Sequence, residues 1–343
     1  MRVLIASPFP RTAARGNSVA ATRLARGFQA RGHDVVVVDA LERWAADPDR
    51  LGAVIAAAGP VDVALILHAA HGAPVARMLA DRRMPYAVSL RGTDVNEMLP
   101  DPRDGLLARA TLAGAARIAV FHAAMRGQLV VRMPEVANRV RVVSNGLSLA
   151  TSRVDYCKQL GFGSDAFVFA SLAGLREVKR PLFPIQHLTP LVQEFPQLRF
   201  VRAGPALEAP VAKAVQELVA ARGWALDLGE ISPDTVDSFL KMADVFVSAS
   251  HSEGMPHAVR EAMLCGRALL LSDIPGHRAM AEPEQEALFF DDAATFQAAA
   301  RRLIVDADLR QRLGARARAR VESELSASDE IGEYLTLLAE CRL

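Results

Sequence analysis

Two carboxylates occur close together in the stretch HSEGMPHAVREAM, residues 251–263. Glu253 stands in a glycine-containing turn, and Glu261 follows it, with seven residues between them, in the helix that the turn is expected to start. Carboxylates are poor ligands for phosphate, but their oxygens accept hydrogen bonds from sugar hydroxyls. Either glutamate alone is explained by an ordinary capped helix with an exposed side chain. The two together, directly after a predicted strand, favour a ligand site.

The residues between the two glutamates suit an anion. Gly254 permits a close approach of the backbone, and Pro256 fits the first turn of a helix, where its missing N–H costs nothing. The next amides, those of His257 and Ala258, would point at an anion with the helix dipole behind them. The stretch therefore predicts a pocket that offers amides to a phosphate and carboxylates to a sugar.

A second candidate is the cationic loop LAGLREVKRP, residues 172–181, which also follows a predicted strand. Arg176 and Lys179 lie where a helix is expected to start, and positive charge is unfavourable there for the helix dipole. An anion held between them would explain this placement, because Arg and Lys together can neutralise a diphosphate. The alternative is a pair of solvated cations in an arginine-rich chain. The position after a strand favours the anion.

The N-terminal half contains a glycine next to a possible helix cap. In ARGNSVAATRLA, Gly16 and Asn17 indicate a glycine loop and an Asn/Ser cap, without the full G-x-G-x-x-G pattern of a dinucleotide site. An ordinary capped turn and a contact to an anion or acceptor are equal alternatives at this point.

Two further strand ends in this half contain polar residues. LHAAHGA places His68 and His71 at the end of one strand. A metal pair is disfavoured because no Cys or carboxylate joins them at suitable spacing, and a hydrogen bond to a ligand is favoured for one of the two. SLRGTDVNE places Arg91 and Asp94 around a glycine turn, either as a local ion pair or as ligand contacts. VVSNGLS, near the end of the half, reads as an Asn-Gly turn that borders the same region.

Strand-like apolar runs alternate with amphipathic stretches throughout the chain, a pattern typical of an α/β protein with parallel sheets covered by helices. The predicted strands are 2–7, 35–39, 61–69, 85–90, 116–121, 139–144, 166–173, 198–204, 225–229, 244–250, 268–273 and 286–292. We expect two Rossmann-like doubly wound domains facing across a cleft, over 1–150 and 151–325. The first helix is expected over 19–31, and amphipathic helices over 308–324 and 326–343, the last packing back on the first domain.

Length and composition limit the number of domains, the classes of partner and the cellular compartment. The 343 residues suit two domains, and 40 Lys+Arg against 39 Asp+Glu gives no global field for nucleic acid. Three cysteines without paired spacing argue against a disulfide framework or metal site, and a reducing cytoplasm is expected. No signal peptide or transmembrane segment is indicated, and peripheral membrane contact stays open. We expect no metal and no cofactor.

The run SEGMPHAVREAMLCGRALLLSDIPG, residues 252–276, resembles the donor-site signature of GT-B glycosyltransferases of family 4, the glycosyl transferases group 1. With VVSNGLS, RGTD and the lysine-bearing loop, the resemblance covers nearly the whole chain. It implies that Glu261 holds the ribose of a nucleotide and that Glu253 contacts the donor sugar. It also implies that Arg176 and Lys179 stabilise the departing diphosphate. The residues that would line sugar and diphosphate are Gly254, Met255, Pro256 and His257.

Some residues depart from the family pattern. The family more often places its arginine five residues before the lysine, where this chain has Gly174, and Arg267 is followed by Ala268 instead of proline. The G-L-R-x-V-K form resembles glycosyltransferase 1 domain-containing proteins, and RGNSVAATRLA, LHAAHGA and SLRGTDVN resemble selenosugar synthase. Gly16 and Asn17 match the family's N-terminal glycine loop, on the acceptor and phosphate side. These departures affect the expected acceptor more than the donor.

The resemblance implies a retaining, metal-independent hexosyltransferase that moves a sugar from a nucleoside-diphosphate sugar, with UDP-GlcNAc as the first guess, to a small-molecule or lipid-linked acceptor. A selenosugar or thiosugar synthase, using a selenium- or sulfur-bearing phosphate, is the first alternative. A nucleotide-sugar-binding scaffold without activity is the second, and a sugar-nucleotide phosphorylase or epimerase has less support.

Overall fold

The computed structural model describes residues 1–10, 16–39, 47–147 and 149–342, apart from the side chain of Pro48. It contains two six-stranded sheets in which every paired strand is parallel. The chain divides into a first unit, Met1–Gly146 with Ser328–Leu343, and a second unit, Leu147–Ala327. The α/β class is confirmed, and each of the twelve predicted strands is present within the described residues.

The first unit is built on one sheet of strand order β2-β1-β3-β4-β5-β6. Its strands are β1 Arg2–Ala6, β2 Asp34–Val38, β3 Val63–Leu67, β4 Tyr86–Ser89, β5 Arg117–Val120 and β6 Val140–Val142. Its described α-helices are α1 Gly16–Ala30, α2 Pro48–Ala57, α3 Ala73–Asp81, α4 Asp104–Gly114, α5 Ala123–Arg132 and α14 Glu330–Glu340, with a π-helical turn at Asp94–Met98 and a 3₁₀ helix at Pro134–Arg139.

The second unit has the sheet order β12-β11-β10-β7-β8-β9. Its strands are β7 Phe167–Leu172, β8 Leu198–Ala203, β9 Ala225–Asp227, β10 Val245–Ser248, β11 Ala268–Ser272 and β12 Ala287–Phe290. Its described α-helices are α6 Tyr156–Gln159, α7 Leu182–Glu194, α8 Ala209–Ala220, α9 Val236–Met242, α10 His257–Leu264, α11 Pro275–Arg278, α12 Ala293–Val305 and α13 Ala307–Ala327. Short 3₁₀ helices occupy Glu177–Lys179 and Pro233–Thr235.

The central strands are apolar along their whole length because helices cover both faces of each sheet. All five residues of β3, VALIL, are buried, and so are the five of β11, ALLLS. The second unit packs separate apolar clusters on the two sides of its sheet, one around Phe169 and Phe290 and one around Phe239 and Phe246. Unbroken apolar runs therefore mark buried parallel strands in this chain.

The last two helices belong to different units. In α13 the buried residues Leu309, Leu313, Ala317 and Val321 recur every four positions, as the predicted amphipathic pattern requires. Helix α14 packs into the core of the first unit, where Tyr334 is fully buried. Its hydroxyl lies 2.7 Å from the Ser89 hydroxyl.

Both sheets are doubly wound, and the direction of winding reverses at one strand pair in each. The reversal lies between β1 and β3 in the first sheet and between β7 and β10 in the second. Ligands of such sheets bind outside the carboxyl ends of the strands at this point. The segments that follow β7 and β10 are those with the cationic loop and HSEGMPHAVREAM.

Candidate functional site

An ion pair joins the two predicted segments at the reversal point of the second sheet. Lys179, at the end of the 3₁₀ helix after β7, donates a 2.6 Å hydrogen bond from Nζ to Oε1 of Glu253, which follows β10. Only 16% of the lysine side chain and 10% of the glutamate side chain are exposed. A backbone hydrogen bond of 2.8 Å from His251 to the carbonyl of Val178 also ties the two segments together. The structure thus brings together two residues that the sequence identified separately.

The carboxylate of Glu253 is held ionised by its surroundings. Burial alone would raise its pKa, but Lys179, the nearby His277 and hydrogen bonds from Lys179 and Ser250 outweigh burial and lower the pKa below its ordinary value. The Ser250 hydroxyl donates to the same Oε1 atom at 2.7 Å. Glu253 is therefore a charged, oriented acceptor suited to a hydroxyl group.

Glu261 has a different environment from Glu253. It lies within α10, is half-buried, and its carboxylate makes no hydrogen bond or ion pair to any residue in the described part of the chain. Burial raises the pKa of Glu261 to about 7. A half-buried carboxylate without a donor is costly, so a ligand hydroxyl that donates to it would gain more than one bound at an already satisfied group.

Helix α10 begins one residue later than its sequence suggests. Pro256 immediately precedes the helix, with φ −68° and ψ 117°, and His257 and Ala258 are the first helical residues. Proline's fixed φ fits both positions, so sequence pattern alone does not separate them. Gly254 is buried, whereas Met255 and Pro256 are half-buried beside it.

Arg176 lies directly before the 3₁₀ helix that ends at Lys179. Its side chain is half-buried and pairs with no acidic group among the described residues. Arg180, by contrast, has a left-handed backbone (φ 48°) and its guanidinium lies 4.0 Å from the centroid of the Phe183 ring. At Gly174, where the family more often has its arginine, an added Cβ would lie 2.6 Å from Leu207 Cδ1, the end of a flexible side chain.

Several polar residues behind Glu253 escaped the sequence analysis. Buried His277, in α11, has one ring nitrogen 3.0 Å from the Ser248 hydroxyl and the other 2.8 Å from the Ser272 carbonyl. The Ser272 hydroxyl donates to the Ser250 carbonyl at 2.6 Å. Serines at the ends of two neighbouring predicted strands, in DVFVSAS and ALLLSD, were the available signal.

Arg202 is a further buried residue that the sequence analysis missed. At the end of β8, its guanidinium donates to Asp227 Oδ1 at 2.7 Å and to the carbonyl of Ala173 at 2.7 Å. Burial lowers the pKa of Arg202, although Asp227 acts in the opposite direction. Because Ala173 is the second residue of the cationic loop, Arg202 holds the start of that loop.

In the first unit the structure brings Asn17 and Arg91 together. Helix α1 begins at Gly16, so the predicted start at residue 19 is wrong. Asn17 lies inside the helix and does not form the predicted cap. Its side-chain oxygen instead accepts a 3.2 Å hydrogen bond from Arg91 Nε. The Arg91 guanidinium lies 4.6 Å from the centroid of the Phe121 ring and 3.5 Å from the Ser89 hydroxyl. None of these partners has a negative charge.

Asp94 and His68 hold two loops of the first unit. The Asp94 carboxylate accepts backbone hydrogen bonds from Ala69, Arg91 and Gly92 at 2.9–3.2 Å, so the local ion pair considered for Arg91 and Asp94 is replaced by bonds to the backbone. His68 has a left-handed φ of 97°, and its Nε2 lies 3.1 Å from the Thr93 hydroxyl. Burial lowers the pKa of His68 to about 4, so its ring is neutral at pH 7.

The sequence of the second unit matches a described family. The family glycosyl transferases group 1 matches residues 153–320, the part that contains the Lys179–Glu253 pair and α10. Residues 153–320 are a glycosyl transferases group 1 domain. Over nearly the whole chain, the sequence is similar to glycosyltransferase 1 domain-containing protein 1 of Xenopus tropicalis, with 24% identity over 330 residues that cover 94% of each protein.

Solved structures similar to the whole chain, including its group 1 domain, show the fold. Sucrose-phosphate synthase from Thermosynechococcus elongatus has a TM-score of 0.83 at 18% identity, covering 98% of this chain and 99% of its own. HepE from Anabaena, solved in complex with UDP and glucose, has a TM-score of 0.81 at 16% identity, with the same coverage. The expected GT-B fold, with two Rossmann-like units, is confirmed.

The residues that the structure describes also bear on metal binding and on membranes. They contain no cluster of three or more His, Cys, Asp or Glu side chains arranged to hold a metal ion. None of the helices in the same ranges is long and apolar enough to cross a membrane. Cys157, Cys265 and Cys341 are free thiols.

Proposed function

We propose that this protein is a retaining glycosyltransferase of the hexosyltransferase type that uses a UDP-sugar and needs no metal ion. The observation that carries the proposal is the Lys179–Glu253 pair at the reversal point of the second sheet, with the unsatisfied carboxylate of Glu261 in the helix that follows. The Lys179 cation fits the diphosphate of such a donor, and the oriented Glu253 carboxylate fits hydroxyls of its sugar. The Glu261 carboxylate, which has no hydrogen-bond donor among the described residues, fits the ribose hydroxyls. The UDP of the HepE complex and the group 1 match of this domain support the same class of donor.

In the proposed reaction, the bond between sugar C1 and the diphosphate oxygen breaks while a nucleophilic atom of the acceptor bonds to C1 on the same face. The acceptor's proton passes to an oxygen of the departing diphosphate, and the products are the glycosylated acceptor and UDP. Arg176, Lys179 and the amides at the start of α10 stabilise the negative charge that develops on the leaving group. Before the donor binds, Glu253 neutralises Lys179, and the diphosphate replaces part of that interaction.

The proposed acceptor is a small molecule or a lipid-linked molecule, bound by the first unit through Gly16, Asn17, His68, Arg91 and Asp94. The proposed setting is the cytoplasm. UDP-GlcNAc is the first donor to test. A protein that binds the nucleotide but turns over no sugar would instead be the scaffold.

One observation favours a second candidate, a selenosugar- or thiosugar-forming synthase whose acceptor contains a phosphate. The Arg91 side chain contacts only neutral groups among the described residues, and burial lowers its pKa. Such a cation is suited to an anionic acceptor. Orthophosphate should raise the melting temperature of the wild type and leave that of Arg91→Gln unchanged. An equal shift in both proteins would remove support for this candidate.

The donor is tested first by thermal shift with UDP, UDP-GlcNAc and UDP-glucose, using ADP and GDP as controls, because stabilisation grows with ligand concentration over dissociation constant. We expect the uridine nucleotides alone to raise the melting temperature. If none of them does, the proposed donor is wrong. Hydrolysis of the stabilising UDP-sugar should continue in EDTA, and loss of activity in EDTA would contradict metal independence.

The role of Lys179 is tested with a charge-matched control. Lys179→Ala should lower the rate constant of donor hydrolysis by about a hundredfold, or about 3 kcal/mol, as expected when one preorganised group facing developing charge is removed. Lys213→Ala, in α8, removes the same charge from a side chain that is 78% exposed and should leave the rate unchanged. Equal rates for wild type and Lys179→Ala would exclude lysine-assisted departure of the diphosphate.

A further inference from the structure

The buried imidazole of His277 lies behind the donor site and is bonded at both ring nitrogens. Its Nδ1 lies 2.8 Å from the backbone carbonyl of Ser272, and a carbonyl oxygen can only accept, so Nδ1 carries a proton. Its Nε2 lies 3.0 Å from the Ser248 hydroxyl and accepts from it when the ring is neutral. The side chain therefore fixes the ends of both β10 and β11.

A chain of hydrogen bonds runs from this ring to the carboxylate of Glu253. The Ser272 hydroxyl, 3.3 Å from His277 Nδ1, donates to the carbonyl of Ser250 at 2.6 Å. The Ser250 hydroxyl donates in turn to Glu253 Oε1 at 2.7 Å, the atom that also accepts from Lys179. The two links made by the serine hydroxyls as donors are short, at 2.6 and 2.7 Å, and Ser250, Ser272 and His277 are all buried. Buried networks of this kind fix a single side-chain arrangement when every member is satisfied.

The neighbouring residue in α11 touches the same glutamate from another side. A Cβ added to Gly276 would lie 2.3 Å from the carbonyl oxygen of Glu253 and 2.9 Å from its Cβ. Helix α11 therefore contacts the backbone of Glu253 directly, while His277 reaches its carboxylate through the two serines.

Burial of His277 favours its neutral form. Burial lowers its pKa, and Lys179 lowers it further, whereas Glu253, the Ser272 carbonyl and Asp273 act in the opposite direction; the net shift is downward. Asp273 is itself paired with Arg278. A neutral ring keeps the donor at Nδ1 and the acceptor at Nε2 that the two serines require.

We propose that His277 is a positioning residue of the donor site, which holds the Glu253 carboxylate, through Ser272 and Ser250, in the orientation that accepts the donor-sugar hydroxyls. This inference rests on the proposed function, because it assigns Glu253 to the sugar part of a UDP-sugar. Loss of the imidazole ring then weakens binding of the sugar part of the donor and leaves binding of UDP unchanged. A merely structural role would weaken both.

The test compares two substitutions of similar size. His277→Leu removes both polar contacts, whereas the side-chain amide of His277→Asn places its N–H near the position of Nδ1 and restores the bond to Ser272. Isothermal titration gives the dissociation constants of UDP and of the UDP-sugar, GlcNAc or glucose, that stabilises the wild type more. For His277→Leu we expect the preference for UDP-sugar over UDP to fall at least about fivefold, which is the size of coupling within one buried network. The dissociation constant of UDP should change less than about twofold. His277→Asn should recover most of the preference.

A double-mutant cycle with Glu253→Gln identifies the route. If His277 acts through Glu253, His277→Leu in the Glu253→Gln background lowers the preference no further. A further fall in the preference for UDP-sugar in the Glu253→Gln background would overturn the inference. An equal loss of affinity for UDP and for UDP-sugar in His277→Leu would overturn it as well. Should His277→Leu fail to fold, Ser250→Ala and Ser272→Ala interrupt the same chain and face the same comparison.

The two proposals fail differently. Wild-type protein that binds no uridine nucleotide, or binds UDP and UDP-sugar equally, contradicts the proposed donor and overturns the positioning role with it. Wild-type protein that prefers the sugar nucleotide, while His277→Leu keeps that preference, contradicts only the positioning role.

Discussion

At the scale of single residues, the two glutamates of the opening stretch have opposite electrostatic states. Glu253 is paired with Lys179 and has a lowered pKa, whereas Glu261 has no partner among the described residues and a pKa raised to about 7. The difference arises from what surrounds each carboxylate, since both are shielded from water. This asymmetry gives Glu261 a pH dependence that Glu253 lacks near neutrality.

Nucleotide binding should therefore depend on pH through Glu261. A hydroxyl donor stabilises the carboxylate, so binding lowers the raised pKa of Glu261 and releases a proton, and affinity for UDP rises as pH increases from 6 to 8. Titration of UDP itself is common to all variants, so the wild type is compared with Glu261→Gln, in which the protein's share of the rise should vanish. Parallel pH profiles of the dissociation constant for the two proteins would contradict the ribose role.

The same raised pKa predicts a stability effect with a definite sign. Between the unfolded pKa of about 4.3 and the folded pKa of about 7, the native state binds the extra proton, so the free energy of unfolding falls as pH rises through that window. Glu261→Gln removes this loss and should raise the melting temperature more at pH 8 than at pH 5. An identical shift at both pH values would mean that Glu261 is not desolvated.

At the scale of elements, the proposed donor site depends on how closely α11 approaches the segment after β10. Gly276→Ala places a Cβ 2.3 Å from a backbone oxygen of Glu253, and backbone cannot rotate out of the way as a side chain can. A displacement of about 1 Å at a reacting centre lowers rates by up to about a hundredfold, so we expect kcat/KM for donor hydrolysis to fall between about tenfold and a hundredfold. Gly223→Ala, which meets no atom within 4 Å, is the matched control. Unchanged kinetics for Gly276→Ala would show that α11 yields without moving Glu253.

At the scale of the whole molecule, the C-terminal helix completes the fold of the first unit although the second unit separates them in sequence. Tyr334 is fully buried beside Ser89, and Glu330 forms an ion pair with Arg23 at 2.8 Å. The first unit is therefore a discontinuous domain. Its stability depends on residues encoded at both ends of the chain.

Tyr334→Ala should lower the free energy of unfolding of the first unit by about 3–5 kcal/mol, as expected for a large aromatic side chain removed from a core. Tyr334→Phe removes only the hydroxyl and should cost about 1 kcal/mol. Hydrogen exchange followed by mass spectrometry during urea titration reports the two units separately. Loss of protection confined to Leu147–Ala327 would contradict this dependence.

Much of the fold could be predicted from sequence, and so could the two segments that contain the proposed donor residues. Buried parallel strands appear as unbroken apolar runs, and the motifs at 172–181 and 251–263 lie directly after two of them. The Lys179–Glu253 contact could not be predicted from spacing, because its partners are 74 residues apart and meet only through the order of β7 and β10. His277 could not be found either, since a lone histidine shows its role only through its buried partners.

The sequence alone determined the alternation of strands and helices, the positions of the glycine and proline residues at turns, and the residue types available at each strand end. These follow from local physics, namely the period of apolar residues and the backbone preferences of single residues. Tertiary structure decided which strand ends lie side by side, which carboxylate is paired and which is left desolvated. Charge pairing, burial and the resulting pKa depend on distances between residues far apart in the chain, and only the folded sheet sets those distances.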